Sequence, residues 1–418
     1  MTSCLRDALC LLGAATLTLA PHDLLGEIRE GTPSGKQAPA ADARHPVSTP
    51  RFDALAKEVS RAVTSGHLDQ GIALYERALK QDPGWLEAHW ALATLLYDVS
   101  RYEPALTHFK VVVKAQPDNG TALAFQGLCR AMLGEREQAV LDLRRAIELG
   151  IGVPRVATAA RYHAAVLTNQ LGDPDGAFEI LRALAGEDED SPLIINAFGV
   201  ILLRLPWSPE DIPPDKQDMI RLAGRAGYDM GRARRSSVGY LAIEELVSRY
   251  PDEPNVHFAY GMFLLPDDPA AAIEQFRQEL RVSPNHYVAM IQLALAELRR
   301  GRAQEALPFA EKAASLAPDV PASHVALGRA LLALGQIDRA IAEMEAAVKL
   351  APEIPRLHYS LAQAYRHARR REDAMREMRE FQALQATTGA TEEQEDLPPD
   401  VPPPPADGNT GQRGGGKR

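Results

Sequence analysis

One stretch of 34 residues sets the terms for the whole chain: Pro321 to Ile354, PASHVALGRALLALGQIDRAIAEMEAAVKLAPEI. It reads as two short amphipathic helices joined by a turn. On the first helix His324, Leu327, Gly328 and Leu331 recur at steps of three and four and share one face. Gly335 stands where that helix needs a left-handed residue to end, and Asp338 is placed to cap the second. There Ala340, Met344 and Ala347 align, and Pro352 stops the helix. A lone hairpin cannot bury both of its apolar stripes, so such a unit is stable only when stacked on others like it. Small residues at Gly328, Ala340 and Ala347 let helix axes approach closely.

The same pattern returns along the chain. Residues 52–85 carry Tyr75, Ala78 and Pro83, and 86–119 carry Leu92-Ala93, Ala105, Phe109 and Pro117. Gly127, Gly134, Ala139 and Ala146 mark 120–153, with Gly150-Ile151-Gly152 in place of the stop proline. A weaker unit spans 158–191 (Ala165, Gly172, Ala177, Leu181). Later units are 220–253 (Gly227, Ile243, Leu246, Pro251), 254–286 (Gly261, Ala272, Phe276, Pro284), 287–320, 321–354 and 355–388. In the last, Phe381 replaces a small residue, as expected of a helix with nothing stacked beyond it.

The length and these residues resemble the tetratricopeptide repeat, from 52 to 388 and most closely in 52–119 and 287–388. The resemblance implies an all-α fold, a right-handed superhelical solenoid of stacked helix-turn-helix repeats. It also implies a concave groove lined by the first helix of each repeat (helix A), where such proteins usually bind peptides or proteins.

Between 192 and 219 the rhythm breaks. Leu193 to Leu205 reads as an apolar helix without a partner, followed by LPWSPEDIPPDK, whose prolines at 206, 209, 213 and 214 exclude a regular helix. This is either an ordered insertion that caps or joins two sub-stacks, with Trp207 buried against one of them, or a decayed repeat. The expected organisation is therefore N-terminal repeats over 52–191, an orphan helix and Pro-rich insertion over 192–219, and C-terminal repeats over 220–388.

The flanks have another character. Arg6 and the thirteen apolar residues Ala8 to Ala20 suggest an export signal over 1–20, too short for a membrane span, which takes about 20 residues. Asp7 beside Arg6 and Pro21 after Ala20 are unusual for such a signal, and an apolar N-terminus of a cytosolic protein is the alternative. Residues 21–51 read as a disordered tether, and 389–418 as a disordered acidic, Pro-rich tail. Of three cysteines only Cys129 lies in the body, which excludes a disulfide framework and any cysteine metal site there. A net charge of −10 argues against nucleic acid as the main partner.

No nucleotide-binding, nucleophile-elbow, HExxH or CxxC motif occurs, so neither a catalytic residue nor a cofactor nor a metal site is expected. His89, His257, His324 and His358 all fall at the fourth position of a helix A. Equivalent positions lie a repeat apart, too far to share one metal, and read as packing residues. Arg369-Arg370-Arg371 and Arg232, Arg234 and Arg235 read as solvated turn charge, with an anionic docking spot second.

Family geometry places positions 2, 5, 9, 12 and 13 of each helix A on the concave side. In this chain those positions hold Trp90, Thr94 and Tyr97, with Glu87 and Asp98; then Tyr162, Asn169 and Gln170; then Arg221, Tyr228 and Arg232. Asn255 and Phe258 follow, with Met262, and Arg329, Arg356, Tyr359, Gln363 and Arg366 close the series. The alternative for any of them is contact with a neighbouring helix or the insertion. The expected function is a non-catalytic scaffold, exported to the periplasm or secreted, binding a protein or an extended peptide with acidic groups. No nucleic acid or small-molecule cofactor is expected, and membrane contact only through an uncleaved leader. An accessory or regulatory subunit of an envelope enzyme and a cytosolic co-chaperone-like adaptor are the alternatives.

Overall fold

Helical spacing of apolar residues dominates the sequence, and every regular element among the described residues is an α-helix. The computed structural model describes residues 50–185, 191–232 and 236–388. The expected leader, the tether up to residue 49, the tail, and Arg234 and Arg235 lie outside the described residues. Two units, Met1–Tyr250 and Pro251–Arg418, divide the chain.

In the first unit four hairpins come in order: α1 (Pro50–Thr64) with α2 (Leu68–Gln81), α3 (Leu86–Asp98) with α4 (Tyr102–Ala115), α5 (Gly120–Leu133) with α6 (Arg136–Leu149), and α7 (Pro154–Gln170) with α8 (Pro174–Arg182). Each second helix packs on the first helix of the next hairpin, so the apolar stripes are closed by neighbours as stacking requires. The core fills with Tyr75, Leu92, Phe109, Leu128, Leu143 and Leu181, all buried. Helix α1 starts at Pro50, two residues ahead of the expected edge, because proline at a first helical position has its φ already set. Arg51 thus belongs to the fold: its guanidinium lies 4.3 Å from the Trp85 ring centroid and pairs with Asp82 at 3.2 Å.

The stretch expected to break the stack does so differently. Helix α9 (Pro192–Leu202) has a partner: it packs against α10 (Gln217–Met230), which packs in turn against α11 (Ser237–Arg249). The contact is made backbone to backbone. A Cβ at Gly199 would sit 2.1 Å from the carbonyl oxygen of Ile220, and one at Gly224 would sit 2.0 Å from that of Ile195. Gly227, expected to face the following helix as Gly328 faces Met344, faces Phe198 of α9 instead. Residues 220–250 therefore stand with the first unit, not with the later repeats. Tyr250 and Arg249 tie α11 back to Asp218 at 3.0 and 2.7 Å. Between α9 and α10 the Pro-rich segment is ordered; Pro209 and Ile212 are its buried anchors, whereas Trp207 is only half-buried.

The second unit is more regular: α12 (Val256–Leu264) with α13 (Pro269–Val282), α14 (Tyr287–Arg299) with α15 (Ala303–Leu316), α16 (Pro321–Ala333) with α17 (Ile337–Leu350), and α18 (Pro355–His367) with α19 (Arg371–Thr388). Gly335 ends α16 at φ +74, as expected. Asp338 is not the cap of α17; Gln336 holds that position without a side-chain bond, and Asp338 lies inside the first turn, where its charge still suits the helix dipole. Phe381 of α19 is buried with its ring centroid 5.5 Å from that of Tyr359.

Candidate functional site

Helix packing decides which of the expected groove positions can meet a partner. Along α3 the aromatic ones are taken up by the stack. Trp90 is buried edge-on against Phe109 and Phe125, with centroids 5.8 Å away in each case. Buried Thr94 returns its hydroxyl to the carbonyls of Ala91 and Trp90 at 3.0 and 3.2 Å. Tyr97, half-buried, stands edge-on to Phe125 and Tyr102; burial pushes its phenol upward. Glu87 is half-buried and Asp98 exposed.

Along α7 the same register positions hold the chain's own Pro-rich segment. Tyr162, 1% exposed, donates its hydroxyl to Oε1 of Glu210 at 2.6 Å. Asn169, 5% exposed, donates its amide to the carbonyl of Leu205 at 2.7 Å. Burial, and after it Glu210, pushes the Tyr162 phenol well above its ordinary value. Burial also lowers the adjacent His163, and Glu210 partly opposes it. Glu210 is held from its other oxygen by the hydroxyl of Ser208. Gln170 is half-buried at the end of the same helix. On α10, Tyr228 is buried edge-on against Phe198 with centroids 5.6 Å apart. Arg221 is exposed and bonded to Asp218 at 2.6 Å, and Arg232 is exposed past the helix end.

In the second unit Asn255 and Phe258 hold α12 in place. Fully buried Glu279 of α13 accepts the Asn255 and Phe258 backbone N–H groups at 3.0 and 3.1 Å, so a neighbouring helix supplies the cap of α12. Asn255 Oδ1 bonds His286 Nε2 at 2.8 Å, and Phe258 stacks on that ring. Met262 is half-buried.

Helices α16 and α18 differ from these. Arg329 is half-buried, and among the described residues it has neither a hydrogen bond nor an ion pair. Its guanidinium is held below its ordinary value by burial and by the charge of Arg299, at the end of α14. Along α18, Arg366 donates to Gln363 at 3.0 Å and Gln363 to the Tyr359 hydroxyl at 2.8 Å, forming a polar row from an exposed arginine to a half-buried ring. Arg356 is exposed on that helix. Arg299 escaped the sequence reading although it stands at position 13 of 287–320, where the same counting rule would have found it. Nothing local marks Glu210 and Leu205, because only the path of the segment brings them to α7.

The four helix-A histidines brace the stack. Nε2 of His89, His324 and His358 donates to the carbonyls of Pro83, Pro318 and Pro352 at 2.8–3.0 Å. Their Nδ1 atoms meet His108, Glu343 and Glu377 on the second helix of the same hairpin, and Nδ1 of His257 meets Gln275. Of the arginines expected in the turn, Arg371 is instead the first residue of α19, and Arg370 lies over the Tyr365 ring and pairs with Asp373.

The tetratricopeptide-repeat family matches residues 62–129 and 297–364, and a second profile of the same description matches 267–321. No curated protein matches the chain. Solved structures similar to parts of it include MamA 41-end from Desulfovibrio magneticus RS-1, 20% identical with a TM-score of 0.38, covering 41% of this chain and 98% of that one. A MamA AMB-1 structure is 21% identical with a TM-score of 0.34, over 42% of this chain and 98% of that one. The MamA RS-1 ArsTM double mutant is 22% identical with a TM-score of 0.34, over 36% and 86%.

Proposed function

Since the chain carries tetratricopeptide repeats, which support a protein-interaction scaffold, we propose that it binds an extended, acidic segment of another protein on the helix-A face of its second unit, without catalysing a reaction. The observation that carries this reading is the state of Arg329. A half-buried guanidinium with a second arginine beside it and, among the described residues, no acid against it is unfavourable in the free protein. A carboxylate placed between such groups gains charge-assisted hydrogen bonds and relieves the repulsion. Arg366, linked through Gln363 to Tyr359, extends the cationic row along α18 and gives it an aromatic floor. Export to the cell envelope is part of the proposal, on the strength of the basic and apolar residues in 1–20. N-terminal sequencing of the native protein tests that part: a mature chain starting at Met1 in a soluble cytosolic fraction contradicts it.

Charge reversal tests the site. Partner captured by photo-crosslinking from Gln363 should bind the Arg329→Glu, Arg366→Glu variant at least tenfold more weakly, by an amount that shrinks with salt. Arg369→Glu with Arg371→Glu changes the charge equally in the adjoining turn and at the start of α19 and should leave affinity nearly unchanged. Equal weakening by both pairs, or by neither, contradicts the assignment.

A further inference from the structure

The first unit shows what its own helix-A face takes. Two donors on one face of α7, the Tyr162 hydroxyl and the Asn169 amide, hold a carboxylate and a main-chain carbonyl of residues 205–210. The carbonyl contact requires no particular side chain at Leu205, and the carboxylate sets the register. The segment carries Pro206 and Pro209, each of which fixes its own φ and lowers the entropy lost on docking. Beyond Leu205 its main-chain bonds include turns within itself, such as the Asp211 N–H to the Ser208 carbonyl. It is anchored at its start independently of α7: Arg204, left-handed at φ 53, pairs through both nitrogens with Asp175 at 2.8 and 2.9 Å. The far end runs into α10, which the glycine contacts hold to α9. Release of 205–212 from α7 therefore leaves both ends of the segment fixed and unfolds neither flanking helix.

We propose that this face of α7 is a second binding site, for a proline-containing segment of a partner protein that presents a carboxylate to Tyr162 and a main-chain carbonyl to Asn169, and that residues 205–212 are its resident occupant, displaced when the partner binds. The proposal rests on the scaffold reading above but not on the arginine row of the second unit. An occupant joined to its site acts at an effective concentration on the order of millimolar, so a free segment of equal chemistry competes poorly with it. Weakening the resident segment should expose the site.

The probe is a fluorescently labelled peptide of residues 203–216, LRLPWSPEDIPPDK, titrated into the full chain and into the full chain with Pro209→Ser, Glu210→Ser and Ile212→Ser. The unaltered chain should not saturate, whereas the triple variant should bind at least tenfold more tightly. Adding Tyr162→Phe to the triple variant should weaken that binding several-fold, as should Glu210→Gln in the peptide. A folded triple variant that does not bind, equal binding by both chains, or indifference to Tyr162→Phe overturns the proposal. Native-state hydrogen exchange on the unaltered chain decides the matter even if the triple variant does not fold. The amides of 207–212 should exchange through an opening that leaves α7 and α9 protected. Exchange only together with those helices makes the segment a fixed part of the fold and overturns the proposal. Loss of this site with the Arg329 and Arg366 effect intact would leave the second unit's assignment standing.

Discussion

Helices α7 and α18 occupy equivalent places in their hairpins, yet among the described residues a later segment covers the face of one and none covers the other. On α7 the tyrosine and amide of the expected groove are closed off by residues 205–210. On α18 the tyrosine, amide and arginine of the corresponding positions bond one another and remain accessible. Register puts a residue on a face; the path of the downstream chain decides whether that face is free. The packing beneath differs in the same way. Between α9 and α10, glycines meet backbone carbonyls, whereas between α16 and α17 Gly328 meets the side chain of Met344, Cγ first.

The largest effect should come from that packing difference. Gly224→Ala sets a methyl where the Ile195 carbonyl stands, and backbone must move, costing about 3 kcal/mol or more. Gly328→Ala meets Met344 Cγ at 2.9 Å, which a rotamer change can clear, so the cost should stay below about 1 kcal/mol. Denaturant melts of the two variants check the order, and similar losses would mean that the two contacts are equally yielding.

Next in size is the covering segment itself. Asn169→Leu leaves the Leu205 carbonyl without its donor and should destabilise the first unit by about 1–3 kcal/mol. Gln363→Leu on α18 breaks bonds that water can replace and should cost about 0.5 kcal/mol or less. Measured stabilities that are alike would remove the distinction between a covered and an open face.

A smaller effect separates repeat 86–119 from the C-terminal ones. Burial first, and then His89, lowers His108 to about 4 from 6.5, so its proton binds the unfolded chain more strongly than the folded one. That stability is complete above about pH 6.5, declines as the pH falls toward about 4 and levels off below, a loss of about 1–2 kcal/mol after allowance for partial exposure. Hydrogen exchange at pH 5 should rise in α3 and α4 of the unaltered chain, and less so with His108→Gln. In α16 and α18 the same histidine position meets Glu343 and Glu377, so no such imidazole pair exists there.

Much of this was legible in the sequence. Spacing located the hairpins, and Gly335 its left-handed turn. Side-chain burial was less so, because Trp90 lies on the expected face yet points into rings that other helices bring, and Thr94 bonds back to carbonyls of its own helix. The α9–α10 contact was missed for a physical reason. Gly199 and Gly224 are ordinary helix glycines until one knows which carbonyl each faces, and a proline-rich linker hides a pair that a short turn would have announced. Arg299 was within reach of the counting rule, whereas Glu210 was not.

Arginine footprinting of the full chain with and without its captured partner tests most directly whether the open face of the second unit is the one used. With partner bound, Arg299, Arg329 and Arg366 should be shielded from phenylglyoxal, while Arg369 in the adjoining turn and Arg371 at the start of α19 react as before. Shielding of Arg369 and Arg371 alone, or no change at any of the five, would contradict the assignment.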